Sequence, residues 1–509
     1  MKLADLAIEF ERLQGAAHAF GARVTAREWR AAAESVAKQN GRLLALWGSE
    51  REGAYVAHMA LVVAEGAIIL SLPLDGESYP DVSDLFAPAI RMQRAAYDLL
   101  GLRADGASDT RQWLRHGAWP AAAFPLRKSY GMNQVSPPAA DDYEFVPVTG
   151  DGVHEIPVGP VHAGTIEPGH FRFSILGERV MRLEERLGYK HKGIEKRFEQ
   201  LSLAEGARLA GRVSGDSTVA YAWAYAMAVE AATGTKAPAR AAWLRALFLE
   251  RERIANHLGD LGFLGNDAGL AFGLAQFSIL KENMLRLNAA LFGHRYLMDL
   301  VMPGGVARDV DAEGAASLEA EADRLEREVT TLRKIYDEHA GLQDRFITAG
   351  RVTPELAAQL GLVGLAGRAS SQMLDVRTQH PHAPYDVLKP NIAMHPNGDV
   401  AARVAVRFDE VFESLRLQRR ILELMPAGET RVALAQASGA IIGAGWIEGW
   451  RGESFVALEA EGERIRRCHV HDPSWQNWPV LEHAVIGNIV PDFPLINKSF
   501  NLSYSGHDL

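Results

Sequence analysis

Two different apolar periods divide the chain. Before residue 128, alanine-rich stretches with apolar spacing of three and four predict helices over 4–14 and 25–39, and runs rich in branched and aromatic side chains predict strands over 43–47, 54–63 and 67–72. A further helix over 89–100 is stopped by Gly101. The apolar stretch 55–74 has the length of a membrane helix, but His58 and Glu65-Gly66 interrupt it, so it reads as a buried strand pair joined at Glu65-Gly66. This order predicts a small α+β domain over 1–127. Residues 129–147 hold Gly, Asn, Ser, three Pro and a run of Ala and Asp with little periodicity, which is linker composition, so 128–148 is expected to connect and to carry no function.

From residue 149 onward the period changes. Phe171, Phe173 and Ile175 alternate with Arg172 and Ser174, and after Gly177 the segment 180–187 alternates again, which predicts a β-hairpin. Helical spacing with few breakers then dominates 203–211, 218–232, 239–264, 274–301 and 312–339, so 149–509 is expected to be a long-helix bundle. The Glu-, Arg- and Leu-rich stretch 312–345 keeps its spacing for too few heptads to be a coiled coil. The fold class expected is α+β, with a small N-terminal α+β domain followed by a mainly helical large domain that opens on a β-hairpin.

Composition narrows the chemistry. The one cysteine among 509 residues, Cys468, cannot build a four-thiolate metal site or an iron-sulfur cluster, and reads as a small buried hydrophobe. A net charge of −10 with interspersed signs argues against nucleic acid. The acidic opening Met1-Lys2-Leu3-Ala4-Asp5 does not read as a signal peptide, and no stretch reads as a membrane span. Gly439-Ala440-Ile441-Ile442-Gly443-Ala444-Gly445-Trp446 has the wrong glycine spacing for a dinucleotide fingerprint, so a packed turn or strand is expected and NAD binding by this chain is not.

Several longer motifs resemble known families. Gly159-Pro160-Val161-His162-Ala163-Gly164, Glu167-Pro168-Gly169-His170-Phe171-Arg172, Leu187-Gly188-Tyr189-Lys190-His191-Lys192-Gly193-Ile194-Glu195-Lys196, Glu252-Arg253-Ile254-Ala255-Asn256-His257 and Pro303-Gly304-Gly305-Val306-Ala307-Arg308-Asp309 are similar to signatures of two groups, as are Gly398-Asp399, Arg403, Arg407 and Glu413-Ser414. These groups are the large subunits of energy-converting, formate-hydrogenlyase-type nickel-iron hydrogenases and the 49-kDa-type, quinone-site subunit of respiratory complex I. In the first unit, Tyr79-Pro80, Tyr97-Asp98-Leu99-Leu100-Gly101 and Phe124-Pro125-Leu126-Arg127-Lys128 resemble the 30-kDa-type complex I subunit, and the fusion of the two occurs in formate-hydrogenlyase-type large subunits.

The resemblance implies a hydrogenase-like metal frame without its ligands. Arg212-Val213-Ser214-Gly215-Asp216-Ser217 and Asp472-Pro473-Ser474-Trp475-Gln476-Asn477 match segments that carry cysteine where this chain has Ser214, Ser217, Ser474 and Asn477. Low-valent nickel and iron need soft sulfur donors, whereas a serine hydroxyl is hard and stays protonated. No metal is therefore expected, and these four become candidate cofactor-pocket residues. Val480 stands where such hydrogenases have a His linked to tail processing, so residues 501–509 are expected to stay and pack. Pro168 and Gly215 stand where complex I has its quinone-ligating His and Tyr, so neither ligand transfers. His162, His170 and Tyr221 are the nearby substitutes for a headgroup or proton relay, with ordinary loop hydrogen bonding as the alternative for the histidines. Asp216 and Glu195 are the candidate carboxylates. Ser214 and Ser217 also suit capping of a helix beginning at Thr218, with Asp216 at its start, and Glu195 also suits an ion pair with His191 four residues earlier. Arg182, Glu184 and Arg186 read as structural. His469, His471 and Asp472 lack a defined metal-ligand spacing.

The function implied is an electron-transfer subunit of a membrane-associated complex, peripheral on the cytoplasmic side of the cell membrane, coupling oxidoreduction to ion translocation. A quinone is a candidate ligand, and this chain binds no redox cofactor alone. The implied partners are an iron-sulfur small subunit and antiporter-like membrane subunits. The competing reading is a non-catalytic scaffold that docks them.

Overall fold

The computed structural model describes residues 1–162 and 166–509. The first unit is built on a mixed sheet of β1 (Glu11–Arg12), β2 (Ala19–Arg23), β3 (Arg42–Arg51), β4 (Ala54–Val63) and β5 (Gly66–Pro73), in the order β1-β2-β5-β4-β3. Only the β2–β5 pairing is parallel. The predicted pair around Glu65-Gly66 is β4 and β5. One sheet face, with Leu43, Leu46, Met59 and Leu70, packs on helices α1 (Ala26–Lys38) and α2 (Ala89–Leu100). The other face, with Leu44, Trp47, Ala60 and Ile69, belongs to the core of the large domain. Burial on both faces explains why these strands read as continuous apolar runs. At the junction the Trp47 ring is stacked between His58 and His469, at 5.1 and 4.7 Å.

The predicted helix over 4–14 does not form. A single 3-10 turn, Leu3–Asp5, is followed by β1, which pairs with β2. A run that short has no stable isolated helix, and the positive φ of Gly15 (+101°) ends any continuation, so edge pairing supplies the backbone hydrogen bonds instead. Residues 128–148 contain no helix or strand but are held down: Arg186 bonds Asp141 at 2.6 Å and lies over the Tyr143 ring at 4.3 Å. Arg182 is partly exposed, and Glu184 accepts from Arg111 at 2.6 Å, in keeping with structural roles.

The large domain opens on β6 (Val153–Val158), β7 (His170–Leu176) and β8 (Arg179–Arg186), so the predicted hairpin gains a third strand. Helix α3 (Thr218–Thr233) is alanine-rich, apolar on every side and almost wholly buried, as a central helix must be. It is followed by α4 (Ala239–Asp267), α5 (Ala271–Phe292), α6 (Ala312–Glu338) and α7 (Val400–Leu424); α4 packs on α3, on α5 and on α7, and α7 packs on α6. The prediction of 274–301 runs too far, because Gly293 caps α5 with φ +84°. No helix among the described residues is long and apolar enough to cross a membrane.

Charge, not only apolar burial, locks the bundle. Arg245, Glu250, Arg251, Arg253, His257 and Asp260 all project from α4 into the interior. Arg245 reaches Glu230 at 2.6 Å, Arg251 reaches Glu321 at 2.8 Å, His257 meets Glu410 at 2.8 Å, and Arg407 reaches Asp260 at 2.9 Å. Removing one member of such a buried pair costs about 3–5 kcal/mol, so the pairing fixes the register of α4 against its neighbours.

Next come β9 (Ala440–Glu448), β10 (Glu453–Glu461), β11 (Arg464–His471) and α8 (Ser474–Ala484), and two short helices, Phe493–Phe500 and Tyr504–Asp508, follow. The glycine-rich stretch is β9, and its glycines serve contact: a Cβ on Gly445 would lie 1.8 Å from the Ala224 carbonyl oxygen of α3. Gly445→Ala is therefore expected to destabilise the protein by about 3 kcal/mol, whereas Gly76→Ala, with nothing within 4 Å of the added Cβ, is expected to be neutral. Equal denaturation midpoints for the two variants would contradict this packing.

Candidate functional site

The two matched segments do converge. A 3-10 turn, Gly215–Ser217, leads into α3, and α8 begins at Ser474 after Pro473. Ser214 Oγ lies 2.6 Å from Asp216 Oδ1 and 3.0 Å from Ser503 Oγ, and Ser503 N donates to Ser474 Oγ at 2.9 Å. Ser503, in the segment before the final short helix, thus stitches the first segment to the second.

Arg451 dominates the local electrostatics. Its guanidinium donates to both Asp216 oxygens, one at 3.0 Å, and to Ser217 Oγ at 3.3 Å. Burial would raise the Asp216 carboxyl, but Arg451 outweighs it and holds the group below its ordinary value. Trp450 Nε1 and Asn256 Nδ2 donate to the Asp216 carbonyl at 2.9 and 2.7 Å. Asn477 is spent on the Val363 backbone, accepting at 3.0 Å and donating at 3.2 Å.

Neither serine caps α3. The backbone N–H groups of Val219 and Ala220 donate to the Glu252 carboxyl of α4, at 2.7 and 3.2 Å. Burial raises the Glu252 carboxyl to about 8, against the lowering effect of those donors.

The donor set does not fit a nickel-iron centre. Three hydroxyls and an amide, nearly all buried, are satisfied by protein partners, and a permanent cation touches Ser217.

Tyr221 is fully buried and donates to Asp472, which also accepts from Ser474 N at 2.7 Å. Burial and Asp472 raise its phenol well above the ordinary range, and Tyr221 ties α3 to the segment that leads into α8. Residues 501–509 pack as expected: Leu502, Tyr504, His507 and Asp508 are buried, and Ser505 N donates to Glu167 at 3.0 Å.

His162 lies beside Gly159, which approaches the Gly169 carbonyl next to His170, outside this network. His170 Nδ1 lies 3.3 Å from the Gly159 carbonyl and its ring packs on Phe145, while the His162 ring packs on Phe171. Burial lowers both imidazoles, and the Nε2 of each has no partner among the described residues. Ala163 and Gly164 of the motif there lie outside the described residues. Glu195 does not pair with His191, whose Nδ1 meets the Asp508 carbonyl at 2.7 Å. It is buried between Arg467 at 2.9 Å and His469 at 2.8 Å; burial would raise its carboxyl, yet these two bring it down to about 2. His471 goes to Gln476 at 2.9 Å, so His469, His471 and Asp472 serve separate partners.

Open space lies beside the frame. A cleft of about 390 Å³ runs along Gly215, Asp216, Asn256, Asp260, Lys281 and Lys498, with Phe263, Tyr296 and Met298 as its apolar side. A smaller cavity behind it, sharing Gly215, Asp216, Asn256 and Tyr296, reaches Glu252. Sequence reasoning missed Arg451, Ser503, Glu252, Lys281 and Lys498 as site residues. Asp216 and Arg451 are far apart in the chain, and a lone Arg after Trp450 carries no local signal.

Comparison with known proteins agrees with this architecture. Residues 22–136 match the family described as respiratory-chain NADH dehydrogenase, 30 Kd subunit, and residues 267–443 match respiratory-chain NADH dehydrogenase, 49 Kd subunit. Formate hydrogenlyase subunit 5 of Escherichia coli (strain K12) is 30% identical over 485 residues, covering 92% of this chain and 85% of that protein. Hydrogenase-4 component G of the same organism is also 30% identical, covering 92% of this chain and 84% of that protein. Among solved structures, a chain of the membrane-bound sulfane sulfur reductase, an archaeal respiratory membrane complex, superposes with a TM-score of 0.67 at 24% identity, over 72% of this chain and 100% of that one. With its fused 30-kDa-like and 49-kDa-like parts, the chain belongs to the family of formate-hydrogenlyase-type large subunits and their complex I relatives.

Proposed function

We propose that this chain is a peripheral electron-transfer subunit of a membrane-associated complex, one that couples oxidoreduction to ion translocation without a nickel-iron centre. Electrons arrive from an iron-sulfur cluster in a small partner subunit, and antiporter-like membrane subunits carry the ion. The chain sits on the cytoplasmic side of the cell membrane. The acceptor is a small molecule of the quinone class, bound in the cleft at Gly215 and not between the former ligand positions.

The single observation carrying this reading is the exchange of space at Gly215–Asp216. On one side Arg451 and Ser503 fill the frame with hydrogen bonds; on the other the cleft opens. A quinone ring needs one donor for each carbonyl beside apolar walls, and Lys281, Lys498 and Tyr296 supply donors next to Phe263 and Met298. Glu252, a carboxylic acid near neutral pH, sits behind the same cleft as a proton source. The filled frame also favours the second reading, a scaffold that docks partners without touching an acceptor.

Gly215→Phe separates them, because a Cβ at Gly215 meets nothing closer than Met298 at 3.5 Å, which leaves room for a ring to fill the cleft. In the purified complex it is expected to lower electron transfer to short-chain quinones at least tenfold while assembly persists. Full transfer and coupling in an assembled variant would hand the case to the scaffold.

Glu252 yields a pH prediction. Its folded value of about 8 exceeds the ordinary 4.5, so the native state keeps a proton that the unfolded chain has lost. Stability from this group is complete below the unfolded value and falls as pH rises through the folded one, by up to about 1.4 kcal/mol per unit. Glu252→Gln is expected to gain thermal stability relative to the parent between pH 5 and 8; a pH-independent difference would contradict the assignment.

A further inference from the structure

The cleft has more positive charge than its carboxylates can use. Arg451 takes Asp216. Asp260 already accepts from Arg407 at 2.9 Å, from Asn501 Nδ2 at 2.8 Å and from Lys498 at 3.2 Å. The ammonium of Lys281 makes no hydrogen bond or ion pair among the described residues, although it lines the same space. Arg451 and Arg407 lie outside the cleft's lining and already bond its two carboxylates, so of the two lysines that line it the ammonium without a partner among the described residues is that of Lys281.

Lys281 is held in this position by the fold. It projects from α5 across Gly259 of α4, where a Cβ would stand 2.8 Å from Nζ, so the glycine leaves the groove in which the side chain lies. Burial lowers the Lys281 ammonium below its usual value, with Asp260 acting in the opposite sense. An unpaired, partly desolvated ammonium is stabilised by an anion placed against it. The same cleft is lined by aromatics: Phe263 and Tyr296 are 46% and 42% exposed, and the Lys498 Nζ lies over the Phe263 ring, 5.0 Å from its centroid. Single exposed aromatics are unremarkable, but two beside the same cleft offer a flat apolar body a place to rest.

We infer that the cleft takes an amphipathic oxyanion, a flat apolar body against Phe263 and Tyr296 carrying a carboxylate or phosphate held by Lys281 and Lys498. This rests on the reading of the cleft as the acceptor's place and narrows it: the occupant is negatively charged, which a plain quinone is not. Lys281 supplies the donor that no group among the described residues uses, and Lys498 adds a second while keeping Asp260.

Binding to the full chain tests this apart from electron transfer, with probes that are not reduced: 2-naphthoate, 2-naphthyl phosphate and the uncharged 2-naphthamide, followed by calorimetry. At least one acid is expected to bind tenfold or more tightly than the amide, and Lys281→Met to remove that advantage in a variant whose thermal midpoint is no lower than the parent's. Which acid binds distinguishes a carboxylate from a phosphate ligand. If the amide binds as tightly as both acids, the charge inference falls and the cleft remains a site for neutral rings. If no probe binds, or if Gly215→Phe leaves binding intact, the inference and the cleft reading fall together.

Discussion

The ion pair between Arg451 and Asp216 determines what the centre of this protein can be. A guanidinium is always charged, its fork matches a carboxylate, and here it also reaches Ser217 and the backbone of Asn501. Asp216 is held from three directions, because Trp450 and Asn256 bind its carbonyl while Arg451 binds its carboxylate. The turn that leads into α3 therefore has one position. Ser214, Ser503 and Ser474 follow as a chain of hydroxyl and backbone hydrogen bonds that closes the frame between the two matched segments. The pair is not wholly buried, since the Asp216 side chain keeps 36% of its exposure toward the cleft, so its net worth lies between that of a surface bridge and that of a buried one.

Function is placed by the same helices that stabilise the fold. The buried charges of α4 are matched by Glu230, Glu321, Glu410 and Arg407 on the surrounding elements, which sets the height of Glu252, Asn256 and Asp260 relative to Gly215. Glycines set the distances between elements: Gly443 and Gly445 bring β9 onto α3, and Gly259 lets Lys281 lie against α4. Most of the cleft is thus carried on helices, with Tyr296 and Met298 from the irregular segment after α5, which suits a ligand site whose groups must hold position.

Much of this is legible in the sequence, for identifiable reasons. Long helices with a continuous 3.6 period, and strands interrupted at Glu65-Gly66, are local signals, and the structure follows them. The motifs around Ser214 and Ser474 meet as their resemblance implies. The misses are non-local. Residues 4–14 have helical composition but pair at a sheet edge, and α5 ends at Gly293 because a capping glycine outweighs the apolar pattern beyond it. Glu195 takes His469 and Arg467 as partners from the far end of the chain, although its four-residue spacing points to His191. Tyr221 looks chemical from its motif and is a buried strut, while Lys281 carries no motif and stands in the cleft.

With Arg451 bonded to Asp216 and Ser217, the frame offers no soft donor and no free position to nickel. The most direct measurement is the nickel content of the intact purified complex by plasma mass spectrometry, free of any other hydrogenase subunit. Nickel far below one per complex is expected. Nickel at one per complex, bound to this chain, would contradict it.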